Sequence, residues 1–355
     1  MTSEPDPADL SWQMAEEFLA TIAPYARVVL ISHVNPDPDA LASMMGLRAL
    51  IDWREPGKEV ILTVDGLIAR AENREMVALV PIQLTPVGQV LPDDSTAFVM
   101  VDSQPWTGRR ASEAVTPVAV LDHHETGGDL DAVAFRDVRG EIGATSTIVE
   151  GYLFELGCPI NPRLATVLYY GIDSEIAGFP REAGPDDDEA LVRLFPIADK
   201  DLLAQIRNPK LPQDYFATFQ GALANAFLYQ DLVVSWCGTV TQPDIIAEVA
   251  DFFVRFDQVN WSLAAGHYEN LLKLSIRAGG LGAHSGDVLR QVVDGHGTAG
   301  GHDKRAGGAI PLPDDRAETI DGLLAVIRER LLKALEIGDT VGRRVLNACP
   351  IIAAP

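Results

Sequence analysis

Three short apolar runs, each giving way at once to a residue that can bind a metal, constrain this chain more than anything else in it. Arg27-Val28-Val29-Leu30-Ile31-Ser32 leads into His33, Ala97-Phe98-Val99-Met100-Val101 into Asp102, and Val118-Ala119-Val120-Leu121 into Asp122. The runs are continuous rather than alternating, and helical patterns lie between them. Strands buried on both faces read this way, so the sequence predicts a mainly parallel sheet flanked by helices. In such a sheet ligands gather beyond the carboxyl ends of the strands. His33, Asp37 and Asp39 after the first run, Asp102 after the second, and Asp122-His123-His124 after the third are therefore expected to converge.

The rest of the chain fits a two-domain α/β plan, as 355 residues would suggest. A further strand is expected at 59–64, with helices at 40–53, 145–156, 161–172 and 186–199. Asn208-Pro209-Lys210-Leu211-Pro212 reads as an exit, followed by a helix at about 214–228. A second pattern then begins, with strands near 232–240, 259–265 and 271–277 and helices at 243–255, 284–293 and 316–335. The expected division is a catalytic domain over 1–207, a linker and connecting helix over 208–228, a smaller α/β domain over 229–340, and a tail over 341–355.

Composition narrows the partners. The formal net charge is -23, which argues against a broad face for long duplexes, since phosphate contacts need one. Small phosphorylated substrates stay open, because metals and a few local cations can reverse the field in a cleft. Cys158, Cys237 and Cys349 fit neither a disulfide framework nor a CxxC site, which suggests a reducing compartment. The acidic start MTSEPDPADL does not read as a secretory signal, and no apolar run is long enough to span a bilayer. The expectation is a cytoplasmic protein without membrane association; a homodimer is compatible with the sequence.

Carboxylates suit hard divalent cations, and the added imidazoles suit Mn²⁺, with Mg²⁺ or Co²⁺ as alternatives. Two such ions about 3.5–4 Å apart can activate a water and neutralise phosphoryl oxygens. Taken singly, each residue has a plainer explanation. A strand-end Asp is more often a turn or helix cap, and Asp39 stands just before a helix. Recurrence at three successive strand ends favours the metal.

His33-Val34-Asn35-Pro36-Asp37-Pro38-Asp39-Ala40, the Asp102 strand end and Asp122-His123-His124 resemble successive motifs of the DHH phosphoesterase superfamily. That group includes RecJ-type exonucleases, nanoRNA- and pAp-hydrolysing enzymes, cyclic-dinucleotide phosphodiesterases and family II pyrophosphatases. The resemblance covers roughly residues 27 to 310. It implies His33, Asp37 and Asp102 on one metal and Asp39, Asp102 and His123 on the other, with Asp102 shared. His124 would face the substrate phosphate as a catalytic group, and Asp122 would orient a histidine. The family's fourth motif resembles Gly-Ile-x-x-Asp-Thr, whereas this chain reads Gly171-Ile172-Asp173-Ser174-Glu175-Ile176. Glu175 is expected as the sixth ligand in place of aspartate, ahead of Asp173, which a helix would point elsewhere.

In the second half, Ser275-Ile276-Arg277 and Gly300-Gly301-His302-Asp303-Lys304-Arg305 resemble the glycine-rich motif of the DHH-associated C-terminal domain. The resemblance implies a substrate-binding role for Gly300, Gly301, His302, Lys304, Arg305 and Arg277, and an active site in the cleft between the domains. The plain alternative is a glycine-rich loop. His267, His284 and His296 lack partners at metal-site spacing, and Asp186-Asp187-Asp188-Glu189 reads as a helix N-terminus. The resulting expectation is an Mn²⁺-dependent hydrolase, of oligoribonuclease or exonuclease type, that opens short nucleotide phosphoesters with a two-metal-activated hydroxide. Its substrates would be short oligoribonucleotides, pAp or linear and cyclic dinucleotides. The alternatives are a pyrophosphatase or exopolyphosphatase, and a nucleotide-binding sensor with a weakened metal site.

Overall fold

A computed structural model describes residues 7–68, 70–105, 116–125, 128–177, 183–280, 283–301 and 303–346. The chain divides into two units between Pro209 and Lys210. The first opens with α1 (Pro7–Ile22), whose Ala15, Phe18, Leu19 and Ile22 recur at helical spacing and are buried. β1 (Arg27–Ile31), α2 (Pro38–Arg54), β2 (Glu59–Val64), α3 (Ala71–Leu79) and β3 (Leu84–Pro86) follow. Then come β4 (Thr96–Val101), β5 (Ala119–Asp122), β6 (Phe135–Val138), α4 (Thr145–Glu155), α5 (Pro162–Ile176), α6 (Pro185–Leu194) and α7 (Lys200–Arg207).

The six strands form one sheet in the order β3-β2-β1-β4-β5-β6, and every pairing is parallel. Side chains alternate across it as the pleat requires. Val28, Leu30, Ala97, Val99, Ala119 and Leu121 join the main helical core, while Ile31, Met100 and Val120 pack with Leu130 and Val133 in a smaller cluster. The chain builds outward from β1 to β3 and then restarts on the other side of β1 with β4. Connections therefore leave β1 and β4 in opposite directions, which opens a crevice at their carboxyl ends.

The second unit contains α8 (Gln213–Ala224), β7 (Ala226–Tyr229), β8 (Leu232–Thr239), α9 (Asp244–Phe253), β9 (Trp261–Tyr268) and β10 (Leu271–Ala278). It ends with α10 (Ser285–Val293), β11 (Thr298–Gly301), β12 (Arg305–Pro311), α11 (Ala317–Ala334) and β13 (Arg343–Arg344). Its sheet runs β11-β12-β10-β9-β8-β7-β13. Only β8 and β9 pair in parallel, and α9 provides the crossover such a pair needs. Residues of α9 belong to one core and residues of α10 and α11 to another.

Several boundaries differ from the sequence expectation. The helix expected over 186–199 ends at Leu194, and a separate helix, α7, starts at Lys200, where Asp199 caps it by accepting from the Asp201 and Leu202 amides, both 3.0 Å. The connecting helix stops at Ala224 and gives way to β7. Its Tyr215, Phe219, Ala222 and Leu223 pack in the second unit's core, so it is a structural part of that unit and not a free linker. Within the expected tail, Arg343–Arg344 adds an edge strand against β7. The glycine-rich stretch, for which a loop was the plain alternative reading, forms the β11–β12 hairpin. No helix among the described residues is long and apolar enough to cross a membrane.

Candidate metal centre

The loop after β1 is pinned before it delivers any chemistry. Asn35 adopts a left-handed conformation (φ 59°), which its short polar side chain tolerates. Its amide bonds Asp65 O at 2.8 Å, and its Oδ1 accepts from the Leu67 amide at 2.7 Å. Pro38 then opens α2, which makes Asp37 the N-cap, and Asp37 Oδ1 accepts from Ala40 N–H at 3.0 Å. The other oxygen, Oδ2, lies 3.5 Å from His33 Nε2. The cap suspected at Asp39 is therefore at Asp37, and that side chain both caps the helix and faces the histidine.

Asp102 is the pivot. It is buried, also left-handed (φ 54°), and its amide bonds Leu121 O at 2.8 Å. One carboxylate oxygen, Oδ2, sits 3.3 Å from His33 Nε2. The other, Oδ1, sits 3.6 Å from His123 Nε2 and 3.7 Å from His124 Nδ1. Among the described residues two groups of side chains thus have the spacing to hold a cation, His33-Asp37-Asp102 and Asp102-His123-His124, and Asp102 belongs to both.

His33 fits a ligand role by its unpaired atom. Nδ1 donates to Val34 O at 3.0 Å, which leaves Nε2 facing the carboxylates, buried and without an aligned hydrogen bond. A histidine whose second nitrogen is fixed by a backbone carbonyl is the form that presents a lone pair to a metal. Burial works against charge on His33, yet Asp102 and Asp37 together hold its pKa well above the ordinary value. His123 behaves alike: burial opposes its charge, but Asp102, Asp39, Glu175 and Asp122 push it up to about 9. Carboxylates crowded this closely call for a cation, and without one a proton takes its place.

Asp39 is buried, and both of its oxygens meet the start of α4. Oδ2 accepts from Thr145 N–H at 2.8 Å and Oδ1 from Ser146 N–H at 2.7 Å. The N-cap of α4, Ala144, has no side chain able to cap, so Asp39 supplies from another helix what that position lacks. Oδ1 also accepts from Ser43 Oγ at 3.5 Å, while Oδ2 keeps a second lone pair for another partner. Burial, followed by the charge of Asp102, holds the Asp39 carboxyl well above its usual range, with His123 opposing and Asp37 and Glu175 adding to the rise. Thr145 Oγ1 also donates to Asp102 Oδ1 at 3.0 Å.

Glu175 and Asp173 part company on α5. Gly171 lets this helix approach closely, since a Cβ there would lie 2.7 Å from Ala42 Cβ and 2.7 Å from Ser146 Oγ. One turn on, the charge of Glu175 acts on both Asp39 and His123. Asp173 is instead paired with Arg207.

Asp122 holds His124 rather than His123. Its Oδ1 accepts from His124 Nδ1 at 2.8 Å and from the His124 amide at 3.2 Å, while its Oδ2 accepts from Gln104 Nε2 at 2.8 Å. Burial raises the Asp122 carboxyl, but His124 and Gln104 outweigh it and the pKa is lowered. Thr145, Ser146 and Gln104 are functional positions that the sequence did not reveal, because none has metal-ligand chemistry. The one usable signal was a helix opening on Ala144 with no cap of its own.

The candidates of the second unit are placed differently. Arg277, expected as an anion clamp, is mostly buried in its own sheet. Nε donates to Asp251, and Nη1 donates to Ser275 Oγ at 2.8 Å and Ile276 O at 3.0 Å. Gly300 and Gly301 pair with Gly307 and Ala306 across the hairpin. Gly301 has φ 151°, and a Cβ there would come within 2.3 Å of Arg305 O. Arg305 stands opposite Arg277 in register, and Lys304 O accepts from Ala278 N–H at 3.0 Å. His302 lies outside the described residues.

A model of the DHH family, N-terminal domain, matches residues 27–172, the stretch that carries β1 to most of α5. An uncharacterized protein of Methanocaldococcus jannaschii is 28% identical over 89% of this chain and 64% of its own length. The A-adding tRNA nucleotidyltransferase of Aquifex aeolicus is 26% identical over 73% of this chain and 30% of its own. The chain thus spans less than two thirds of either relative. Among solved structures, an exopolyphosphatase-related protein from Bacteroides fragilis superposes with a TM-score of 0.66 at 15% identity, covering 91% of this chain and 98% of that one. The exonuclease RecJ bound to manganese gives 0.50 at 14% identity, covering 92% and 95%. Residues 27–172, which carry the ordered strand-end residues of the first unit, are thus similar to the N-terminal domain of the DHH family.

Proposed function

We propose that this chain hydrolyses short nucleotide phosphoesters at a two-cation centre held by His33, Asp37, Asp39, Asp102, His123 and Glu175. The observation that carries the proposal is the position of Asp102, whose two oxygens face His33 and His123 separately. A carboxylate so placed can serve two ions at once. Divalent cations, with manganese the first candidate, would supply a water acidic enough to attack at neutral pH and would neutralise phosphoryl charge.

The protein's own groups do the rest. Asp122 fixes the Nδ1 proton of His124 and so leaves Nε2 as the working nitrogen, which in the protonated ring would donate to a phosphoryl oxygen or a departing group. The α4 amides hold Asp39 in one orientation before any ligand arrives, which lowers the reorganisation needed on binding. A net charge of -23 favours short substrates over long duplexes. Short oligoribonucleotides, pAp and linear or cyclic dinucleotides are the substrate class.

A panel of these compounds, with pyrophosphate and polyphosphate beside them, tests the proposal when run with Mn²⁺, Mg²⁺ and Co²⁺ and followed by product analysis. Release of mononucleotides or inorganic phosphate from the nucleotide compounds is the expected result. Turnover of pyrophosphate or polyphosphate alone would move the function to the pyrophosphatase class. Nucleotide binding without turnover of any compound would make the protein a sensor, a reading favoured by Glu175-Ile176 in place of Asp-Thr.

A further inference from the structure

The acidic run in the first turn of α6 contains one residue that is not an ordinary surface cap. Asp187 is the third residue of that helix and is fully buried. Its Oδ2 accepts from the Gly184 amide at 2.7 Å, at the entry to its own helix. The same oxygen accepts from the Gly143 amide at 2.8 Å, and Oδ1 accepts from Thr147 Oγ1 at 2.5 Å. Gly143 and Thr147 bracket Thr145 and Ser146, the pair whose amides hold Asp39 and whose first hydroxyl holds Asp102.

A capping carboxylate at the surface costs little to place, whereas a buried one must be matched by donors. Here three donors meet it, two of them from the start of α4. That helix start lacks a cap from its own sequence, so its position is set by Asp187 from one side and Asp39 from the other. With Gly143 and Thr147 both fixed, α4 cannot slide or rotate at its beginning without breaking a bond to Asp187.

We propose that Asp187 is a positioning residue for the metal centre, acting through the first turn of α4 on Asp39 and Asp102. The inference rests on the two-cation proposal above. Groups that orient ligands without touching the metal typically change affinity by about 10–100-fold when removed. A merely structural staple between α4 and α6 would lower stability and leave the affinity of the folded protein unchanged.

The test is Mn²⁺ titration calorimetry on the metal-free full chain, with amide hydrogen exchange at Thr145 and Ser146 measured before metal is added. Asp187→Ala should weaken Mn²⁺ binding about 10–100-fold and speed exchange at both amides. Asp187→Asn, which keeps an accepting oxygen, should recover most of the loss. Thr147→Val removes one of the three bonds and should weaken binding about threefold. Leu203→Ala, a buried site in α7 away from the α4 start, controls for destabilisation and should leave affinity unchanged.

Unchanged affinity in folded Asp187→Ala overturns the proposal, as does an equal loss in Leu203→Ala. If Asp187→Ala does not fold, Thr147→Val decides, and unchanged affinity together with unchanged Thr145 exchange overturns it. A wild type that takes up no Mn²⁺ overturns the two-cation proposal and this one with it. A wild type that binds while all Asp187 and Thr147 variants bind as tightly overturns this one alone.

Discussion

Both units carry suggestive residues, yet among the described residues only the first brings metal-type side chains within ligand spacing of one another. In its all-parallel sheet every strand points the same way, so His33, Asp102 and the Asp122–His124 triplet leave at one edge. The second sheet is mostly antiparallel, and successive strand ends fall on opposite edges. There Arg277 and the glycine segment lie side by side within a sheet, and Arg277 spends its guanidinium on Asp251, Ser275 and a backbone carbonyl. Topology decides whether order along the chain becomes convergence in space.

The sharpest way to break that contrast is at Asp102. Asp102→Ala removes the one carboxylate common to both ligand groups, and turnover should fall to background in a steady-state assay with saturating Mn²⁺. Retention of more than about a tenth of the wild-type rate would end the two-cation assignment. The next largest effect is expected on α5. Glu175→Gln should weaken Mn²⁺ binding by at least about tenfold in calorimetry, by removing a charge that acts on Asp39 and His123. Asp173→Asn breaks a surface pair with Arg207 and should leave that affinity alone. The reverse pattern would reassign the sixth ligand.

The first unit should also carry a pH dependence that metal removes. The His123 pKa is pushed up from the ordinary 6.5 to about 9 in the folded metal-free protein. A raised folded pKa means stability that is complete below about 6.5 and is lost as pH climbs through about 9. The raised carboxyl of Asp39 acts in the same sense, because its protonated form is the one the fold favours. In EDTA, the melting temperature should therefore fall between pH 6.5 and 9. Saturating Mn²⁺ should flatten the profile, since a cation then takes the place of the protons. A flat profile without metal would mean that the two histidines are not held by the carboxylates around them.

Much of the first unit was legible because His33, Asp102, Asp122 and His123 sit one or two residues past an apolar run, where local chemistry and fold coincide. The parallel sheet and the convergence of His33, Asp102 and His123 follow from that adjacency, whereas the preference for Glu175 over Asp173 comes from the resemblance to the family's fourth motif and from helix geometry. The cap was expected at Asp39 rather than at Asp37, although Pro38 marks the first helical position. Thr145, Ser146, Gln104 and Asp187 were not legible. Their amides, hydroxyls and, for Asp187, carboxylate meet partners far along the chain, 106 residues away for Thr145 and Asp39, and such pairings leave no local pattern. The β11–β12 hairpin hid for another reason. Thr298-Ala299-Gly300-Gly301 has poor strand propensity, and pairing along β12 overrides it.

The smallest effect bears on the second unit. Arg277 is 10% exposed and its partner Asp251 39% exposed, so Arg277→Ala would strand a carboxylate that water can still reach. The cost is that of a screened pair plus the hydrogen bonds to Ser275 and Ile276, about 1–2 kcal/mol in all. Denaturant unfolding should show that loss, with KM for a short nucleotide unchanged, because the guanidinium is already engaged inside the sheet. A KM that rises several-fold while stability holds would mean that Arg277 leaves Asp251 for a ligand. The second unit would then have a binding site that its strand directions alone do not predict, and the contrast with the first unit would narrow to how each one brings its charged groups together.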